Sequence, residues 1–229
     1  MYGLILDTAS PLSYLLLTKQ GKVLSFWKTY KQKKISNDLF AKLQEWMTQH
    51  SLQGQIAFIA MGEGPGSFTG TRIGITLAKS LSYGLKVPLL SFCSLLGYYP
   101  EEEGPFTVVF DAKSLGFHCL DGKKTDQQAF FENFSYTLPK ELAKEKFTTS
   151  TWVTSPFEEK DSPLNAITTL RKKEPDFSYI ADFVYQKFIV KQDDLSPFSP
   201  ISTSPSCDKQ QNLLPSSQIK ASAFAEVKL

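Results

Sequence analysis

The stretch GEGPGSFTGTRIG, residues 62–74, decides how this chain is read. Five of the chain's 13 glycines fall inside it, and none occurs after Gly122. Glycine permits φ > 0 and lets a ligand or another backbone come within contact distance. Upstream, Ile56 to Met61 reads as a short strand buried on both faces. Downstream, Ser67 or Thr69 can cap a helix that reaches about Tyr83, with Gly84 as its stop. A strand, a glycine turn and a helix N-terminus together present free N–H groups and the positive end of the helix dipole. Gly62, Gly64 and Gly66 remove the Cβ atoms that would keep a ligand away, and Ser67 stands beside them, so Gly64, Gly66 and Ser67 are candidate anion-binding residues. The segment matches none of the common phosphate or nucleophile loops. Gly70 is followed by Thr71 and Arg72 rather than Lys-Ser/Thr, no dinucleotide triplet of glycines is present, and Ser67 lacks the flanking glycines of a nucleophile elbow. A tight turn that binds nothing is the equal alternative.

Working outward, Tyr2 to Asp7, Leu12 to Thr18 and Val23 to Tyr30 read as three strands joined by short turns, hence antiparallel neighbours. A helix follows, with Ser36 as its N-cap and Leu39, Leu43, Trp46 and Met47 at helical spacing; Phe40 widens that stripe. After the glycine segment and its helix, Val87 to Phe92 is a further strand, giving β-β-β-α-β-α-β. In the second helix Gly70, Gly74 and Ala78 fall four apart on one face. Glycine inside a helix costs about 1 kcal/mol relative to alanine, so close approach of a neighbour is expected, from this chain or another. Arg72, placed where a cation meets the positive end of the dipole, is expected to pair with a carboxylate such as Glu63.

The run PEEEGP at 100–105 marks a boundary. The expected organisation is an N-terminal lobe over 1–100, a smaller C-terminal lobe over 101–194 and a Ser/Pro-rich tail over 195–229. Strands are expected at Thr107 to Asp111 and Phe117 to Leu120, and short helices at Glu141 to Lys146 and Leu164 to Lys173. A net charge of +2 argues against a surface dominated by nucleic-acid binding. The basic run Lys28 to Lys34 reads as a solvated strand end. Three separated cysteines, Cys93, Cys119 and Cys207, suit a reducing compartment. The lack of a signal-like start or a membrane-length apolar run makes the cytoplasm the expected location.

The segment GPGSFTGTRIG (64–74), the Gly84 that follows and the strand at Val87-Pro88 resemble the TsaB (YeaZ) family. Ile-Leu-Asp-Thr at 5–8 and Asp-Ala-Lys at 111–113 fall where that family has its Asp-Thr and Asp-Ala-Arg elements; the likeness covers about residues 1–120. Ile35-Ser36 stands where the family has His-Ser, Lys113 where it has arginine, and the family's closing Tyr-Leu-Arg is absent. The resemblance implies an α/β, actin/Hsp70-like (ribonuclease H-like) fold of two lobes, with the second reduced here. It implies a non-catalytic subunit in the synthesis of N6-threonylcarbamoyladenosine at tRNA position 37, paired with a TsaD-like catalytic subunit and joined by a TsaE-like ATPase. It also implies homodimers through the same helices when the partner is missing, and only indirect contact with tRNA. For that helical interface the candidate residues are Leu39, Leu43, Trp46 and Met47 from the first helix and Gly70, Gly74 and Ala78 from the second. Gly74→Leu is expected to block association while the monomer stays folded.

Actin-like ATPases clamp phosphate between two turns. Asp7 and Thr8 offer the first such turn, but no glycine lies beyond residue 122 to build the second. No cofactor and no metal are expected, because His50 and His118 are isolated. The competing class is a stand-alone glycoprotease-like hydrolase or small phosphotransferase using Asp7 and Asp111.

Overall fold

The computed structural model describes residues 1–30, 35–140, 151–157, 161–167 and 169–190. The first three strands are β1 (Tyr2–Asp7), β2 (Ser13–Lys19) and β3 (Lys22–Thr29); then come α1 (Ile35–Gln49), β4 (Ile56–Gly62), α2 (Phe68–Leu85) and β5 (Leu89–Phe92). They form a five-stranded sheet in the order β3-β2-β1-β4-β5. The two hairpin pairings are antiparallel, whereas β4 and β5 run parallel to β1. The split follows from connection length: tight turns join β1 to β2 and β2 to β3, while a helix is needed for each parallel crossover.

The chain then builds the same pattern again. The second set is β6 (Gly104–Asp111), β7 (Phe117–Lys124), β8 (Ala129–Phe131), β9 (Tyr136–Leu138), β10 (Thr151–Thr154) and β11 (Arg171–Lys172), with α3 (Phe177–Val190) last. Their order is β11-β10-β6-β7-β8, and β9 also pairs with β7. Here too β6–β7 is antiparallel, whereas β10 and β11 run parallel to β6 and to each other. Two sheets sharing one strand order are what a two-lobed ribonuclease H-like fold requires.

β1 is buried on both faces. Leu4 and Leu6 point to α1 and α2, joining Leu39, Leu43, Trp46, Ile59 and Met61 in one core. Ile5 points the other way, into a core that also takes Phe58 and Phe92 from the first sheet, Phe106 and Val108 from the second, and Ile180, Val184 and Phe188 of α3. Burial of each such side chain contributes roughly 1.5–3 kcal/mol. α3 therefore returns from the C-terminal half to lie against β2, β3 and β5. A division at residue 100 separates the sheets along the chain, but one core spans both. The proposed tail over 195–229 lies outside the described residues, as does the helix expected at 141–146.

Two expectations need correction, and one further helix is present. The span Leu164 to Lys173 is not a helix: Pro163–Ala166 makes one 3-10 turn and Arg171–Lys172 a strand. α2 does not stop at Gly84. It runs to Leu85 and ends at Lys86, whose φ of 55° is left-handed, while the Ser82 hydroxyl donates to the Val87 carbonyl and seals the end. α3, which the sequence reading passed over, is capped by Asp176, whose Oδ1 accepts from the N–H groups of Ser178 and Tyr179.

Candidate functional site

The glycine turn sits where β4 hands over to α2, beside the turn that leaves β1. Its shape follows from what each glycine touches. A Cβ on Gly66 would collide with the Ala9 carbonyl, and one on Gly70 with the Thr8 carbonyl. At Gly74 it would lie 2.6 Å from Thr8 Oγ1, and at Gly62 it would overlap the Asp7 carboxyl group. The four glycines let α2 and its leading turn press directly on residues 7–9. Gly64 has the other requirement, a φ of 97°.

The polar groups of the turn already have partners within the chain. Ser67 N–H donates to the Ala9 carbonyl (2.8 Å), and Ser67 Oγ accepts from Gly70 N–H (3.2 Å) as the cap of α2. Gly64 N–H donates to Ser94 Oγ (3.0 Å), and Ser94 N–H returns a bond to the Gly64 carbonyl (2.8 Å). Thr8 Oγ1 donates to the Gly70 carbonyl (2.6 Å). The amides of Gly64, Ser67 and Gly70, which an anion would need, are therefore occupied. Asp7, Thr8, Gly64, Gly66 and Ser67 do come together, as the sequence suggested. What they build is a closed joint between two turns of the same lobe.

Asp7 lies at the centre of that joint with no solvent exposure. Its Oδ1 accepts from Ala9 N–H (2.7 Å) and Ser10 N–H (3.3 Å); Oδ2 is buried with no hydrogen-bond partner. Burial pushes its pKa up from 3.8 to about 6, against the lowering effect of Ala9, Ser94 and Ser10. The neighbouring Tyr14 hydroxyl is raised as well, first by burial and then by the charge on Asp7. Asp111 occupies the matching place at the end of β6. Its Oδ1 accepts from Lys113 N–H (2.8 Å), and its Oδ2 lies 3.5 Å from Lys113 Nζ. Asp7 is thus closed off within its own turn, and Asp111 is bonded within its own.

The opposite side of α1 and α2 is open. A groove of about 740 Å³ runs between them, lined by Asn37, Phe40, Arg72, Ile73, Thr76 and Leu77 among others. Phe40 is 50% exposed. Beside the groove Phe68 is 67% exposed, with the Arg72 guanidinium over its ring at 3.9 Å. Arg72 thus stacks on an aromatic ring one turn away instead of pairing with Glu63.

A family model described as "TsaD: tRNA N6-adenosine threonylcarbamoyltransferase" matches residues 31–154, more than half of the chain. The chain belongs to this family. Its relatives place it on the TsaB/YeaZ branch. It is 31% identical over 93 residues to the tRNA threonylcarbamoyladenosine biosynthesis protein TsaB of Bacillus subtilis, a match covering 40% of this chain and 41% of that protein. To the TsaB of Escherichia coli it is 47% identical over 38 residues, or 17% of this chain and 16% of that one. The matches thus span less than half the length of these relatives. A crystal structure of a Pseudomonas aeruginosa protein, described as similar to peptidase YEAZ, superposes with a TM-score of 0.64 at 16% identity, covering 87% of this chain and 97% of that one. The fold is the actin-like fold of that branch.

On this TsaB/YeaZ scaffold six of the seven residues nominated for an interface lie inside the chain. Leu39, Leu43, Trp46, Gly70, Gly74 and Ala78 are buried in the chain's own core and Met47 is half-buried against it. The physical reason is that an apolar stripe at 3–4 spacing marks the face a helix buries first, which here is the sheet face. Small residues at 70, 74 and 78 answer to β1 and Thr8. Phe40, which widens the α1 stripe, is half exposed on the next face round, while Ile73 and Leu77 are half-buried at the groove, Leu77 also against the core.

The histidines are far apart in role: His50 is exposed just past α1, and His118 on β7 lies 3.4 Å from Thr137 Oγ1 with its pKa lowered by burial. Among the described residues no three His, Cys, Asp or Glu side chains gather as a metal site, and no helix is long and apolar enough to cross a membrane.

Proposed function

We propose that this chain is a non-catalytic subunit in the synthesis of N6-threonylcarbamoyladenosine at tRNA position 37, working in the cytoplasm. It docks on a TsaD-like catalytic subunit through the open side of α1 and α2, a TsaE-like ATPase joins the pair, and contact with tRNA is indirect. The observation that carries this reading is the closed glycine turn. The amides of Gly64, Ser67 and Gly70 are bonded to Ser94, Ala9 and Ser67, and residues 7–9 fill the space against the glycines, while two helices of the same lobe keep a groove exposed. The names of the TsaB relatives supply the pathway. The stand-alone hydrolase or phosphotransferase gains no support, since Asp7 is inaccessible and bonded within its own turn.

The test is reconstitution. Unmodified tRNA, the TsaD-like and TsaE-like subunits of the same organism, ATP and threonylcarbamoyl-adenylate are combined with and without this chain, and the modified nucleoside is read by mass spectrometry. Modification that depends on the chain is expected, together with no ATP turnover by the chain alone. Ile73→Asp, placing a charge on the groove wall, is expected to cut modification at least tenfold with the thermal midpoint unchanged, since burial of an unpaired charge at an interface is costly. ATP hydrolysis by the isolated chain that is lost in Asp7→Ala overturns the reading.

A further inference from the structure

β3 borders the first sheet, and among the described residues no strand pairs with its outer side. It is eight residues long, and none of the eight is buried. Natural edge strands are kept short, bulged or charged, because a free row of N–H and C=O groups invites pairing. A bulge does interrupt the start of β3: Leu17 pairs with Ser25 and Thr18 with Val23, which leaves Leu24 over. From Ser25 to Thr29 the ladder is regular. The lysine in that stretch, Lys28, is engaged by Glu174. Its neighbour Phe26 rests on Phe177 and is still 54% exposed; Tyr30, just past the strand, is 60% exposed.

α3 shows where the chain goes next. It starts at Phe177, against Phe26, and its Tyr185 lies against Gly21 in the β2–β3 turn. It thus runs back along β3 and ends at Val190, about 7.5 Å of helix beyond Tyr185. Thirty-nine residues follow. Their sequence changes character at 219. Prolines stand at 197, 200, 205 and 215, whereas 219–229 holds neither proline nor glycine. That stretch, IKASAFAEVKL, alternates. Ile219, Ala221, Ala223, Ala225, Val227 and Leu229 are apolar, and of the residues between them all but Phe224 are polar. A period of two is the pattern of a strand with one covered face.

We propose that residues 219–229 add to the outer edge of β3 as a sixth strand of the first sheet, laying their apolar row beside Phe26 and Tyr30. The 28 residues 191–218 separate them from α3. The random-coil span of that length is about 30 Å, and a strand of eight residues extends about 27 Å, so the edge is within reach. Tethering sets the effective concentration on the order of millimolar, which favours this segment over a second copy or a foreign strand. The inference is independent of the docking reading, because it concerns the border of the sheet and not the helices on its face.

The experiment is residue-resolved amide hydrogen exchange by NMR on the full chain and on a chain ending at Gln218. Alternate residues of β3 direct their N–H away from β2. Those outward amides, between Ser25 and Tyr30, are expected to exchange at least tenfold more slowly in the full chain at every protein concentration, with the amides of β1 and β4 alike in both chains. Two proline variants of the full chain keep the test decisive if the shortened chain does not fold. Successive residues of an edge strand point N–H alternately to the neighbouring strand and to solvent, and proline is tolerated only at the second kind of position. Of Ser222→Pro and Ala223→Pro, one is therefore expected to abolish the protection and the other to keep most of it. Equal exchange of the outward amides in the full and shortened chains overturns the proposal. So does equal loss with both prolines, the mark of a docked helix. Protection that grows with protein concentration also overturns it, since the strand is then lent by a second copy.

Discussion

The two sheets share a strand order, yet their turns have diverged. At the end of β1, Asp7 folds back on Ala9 and Ser10 in full burial, and the glycine turn after β4 closes over it. At the end of β6, Asp111 makes the same kind of turn with Lys113 N–H; its side chain is 5% exposed, but the Lys113 side chain that reaches back to it is 58% exposed. The turn after β10 carries Ser155, Pro156 and Phe157, with no glycine to bring it down on the first. Phe157 instead stacks on Tyr30, 5.1 Å between ring centres and 2° between planes, tying the second sheet's turn to the first lobe. One strand order has thus been used twice, once with glycines that press its two turns together and once without them. Small residues make the difference, because only they let two backbones meet.

The sharpest way to break this comparison is at Gly70. A methyl there has no room beside the Thr8 carbonyl, which is backbone and cannot rotate away. Gly70→Ala is expected to cost about 3 kcal/mol or more by overpacking, lowering the melting temperature by about 10 °C. Gly74→Leu, expected from the sequence to block association in a folded monomer, is instead expected to prevent folding, since the larger side chain must pass Thr8 Oγ1 and Leu6. Gly84 is the control within the same helix: nothing lies within 4 Å of its Cβ position. Gly84→Ala should stabilise by up to about 1 kcal/mol through helix propensity. Thermal unfolding of the three variants decides. If Gly70→Ala and Gly84→Ala behave alike, the close packing of α2 on residues 7–9 is wrong.

Next in size is the charge on Asp7. Its pKa of about 6 in the fold lies above its ordinary 3.8, so the folded state favours the protonated form. The stability this gives is fully present below about pH 4 and is lost as pH rises through about 6; the full difference is on the order of 3 kcal/mol. Asp7→Asn keeps the Oδ1 acceptor for Ala9 and Ser10 but cannot ionise. From pH 8 to pH 4.5, wild type is therefore expected to gain about 2 kcal/mol relative to Asp7→Asn, measured by urea unfolding at each pH. A difference that stays constant with pH would place water in contact with the carboxylate.

The strand order of residues 2–92 was legible because its signals are local: apolar runs of strand length, turn residues between them, and caps at helix starts. Of Ser67 and Thr69, the two caps the sequence offers for α2, Ser67 is the one used. The facing of α1 and α2 was not legible. Gly70, Gly74 and Ala78 announce a close neighbour, but nothing in a linear pattern says whether that neighbour is Thr8 of the same chain or a residue of another. Leu39 and Trp46 announce a buried stripe without saying what covers it. In the second half, β8, β9 and β11 are two or three residues long and exist through pairing with distant strands, so no local periodicity marks them. α3 differs. Phe177, Ile180, Ala181, Val184 and Phe188 recur at helical spacing behind Pro175 and the capping Asp176, so its signal was present in the sequence.

The smallest effect is expected at Asp111, and it sharpens the comparison from the side without glycines. Asp111→Asn retains the acceptor for Lys113 N–H and removes only the charge facing Lys113 Nζ, whose side chain is 58% exposed. The Asp111 side chain is itself 5% exposed, but its partner stands in solvent at a long 3.5 Å, so the pair is worth up to about 1 kcal/mol and weakens with salt. Urea unfolding should therefore show Asp111→Asn within about 1 kcal/mol of wild type at low salt, and indistinguishable from it at about 0.5 M salt, where the Debye length falls to a few Å. The same substitution, made at corresponding ends of two sheets, would then act through burial in one turn and through a screened ion pair in the other. A large, salt-insensitive loss at Asp111 would mean that the second turn is as tightly closed as the first, and that the missing glycines do not explain the divergence of the two lobes.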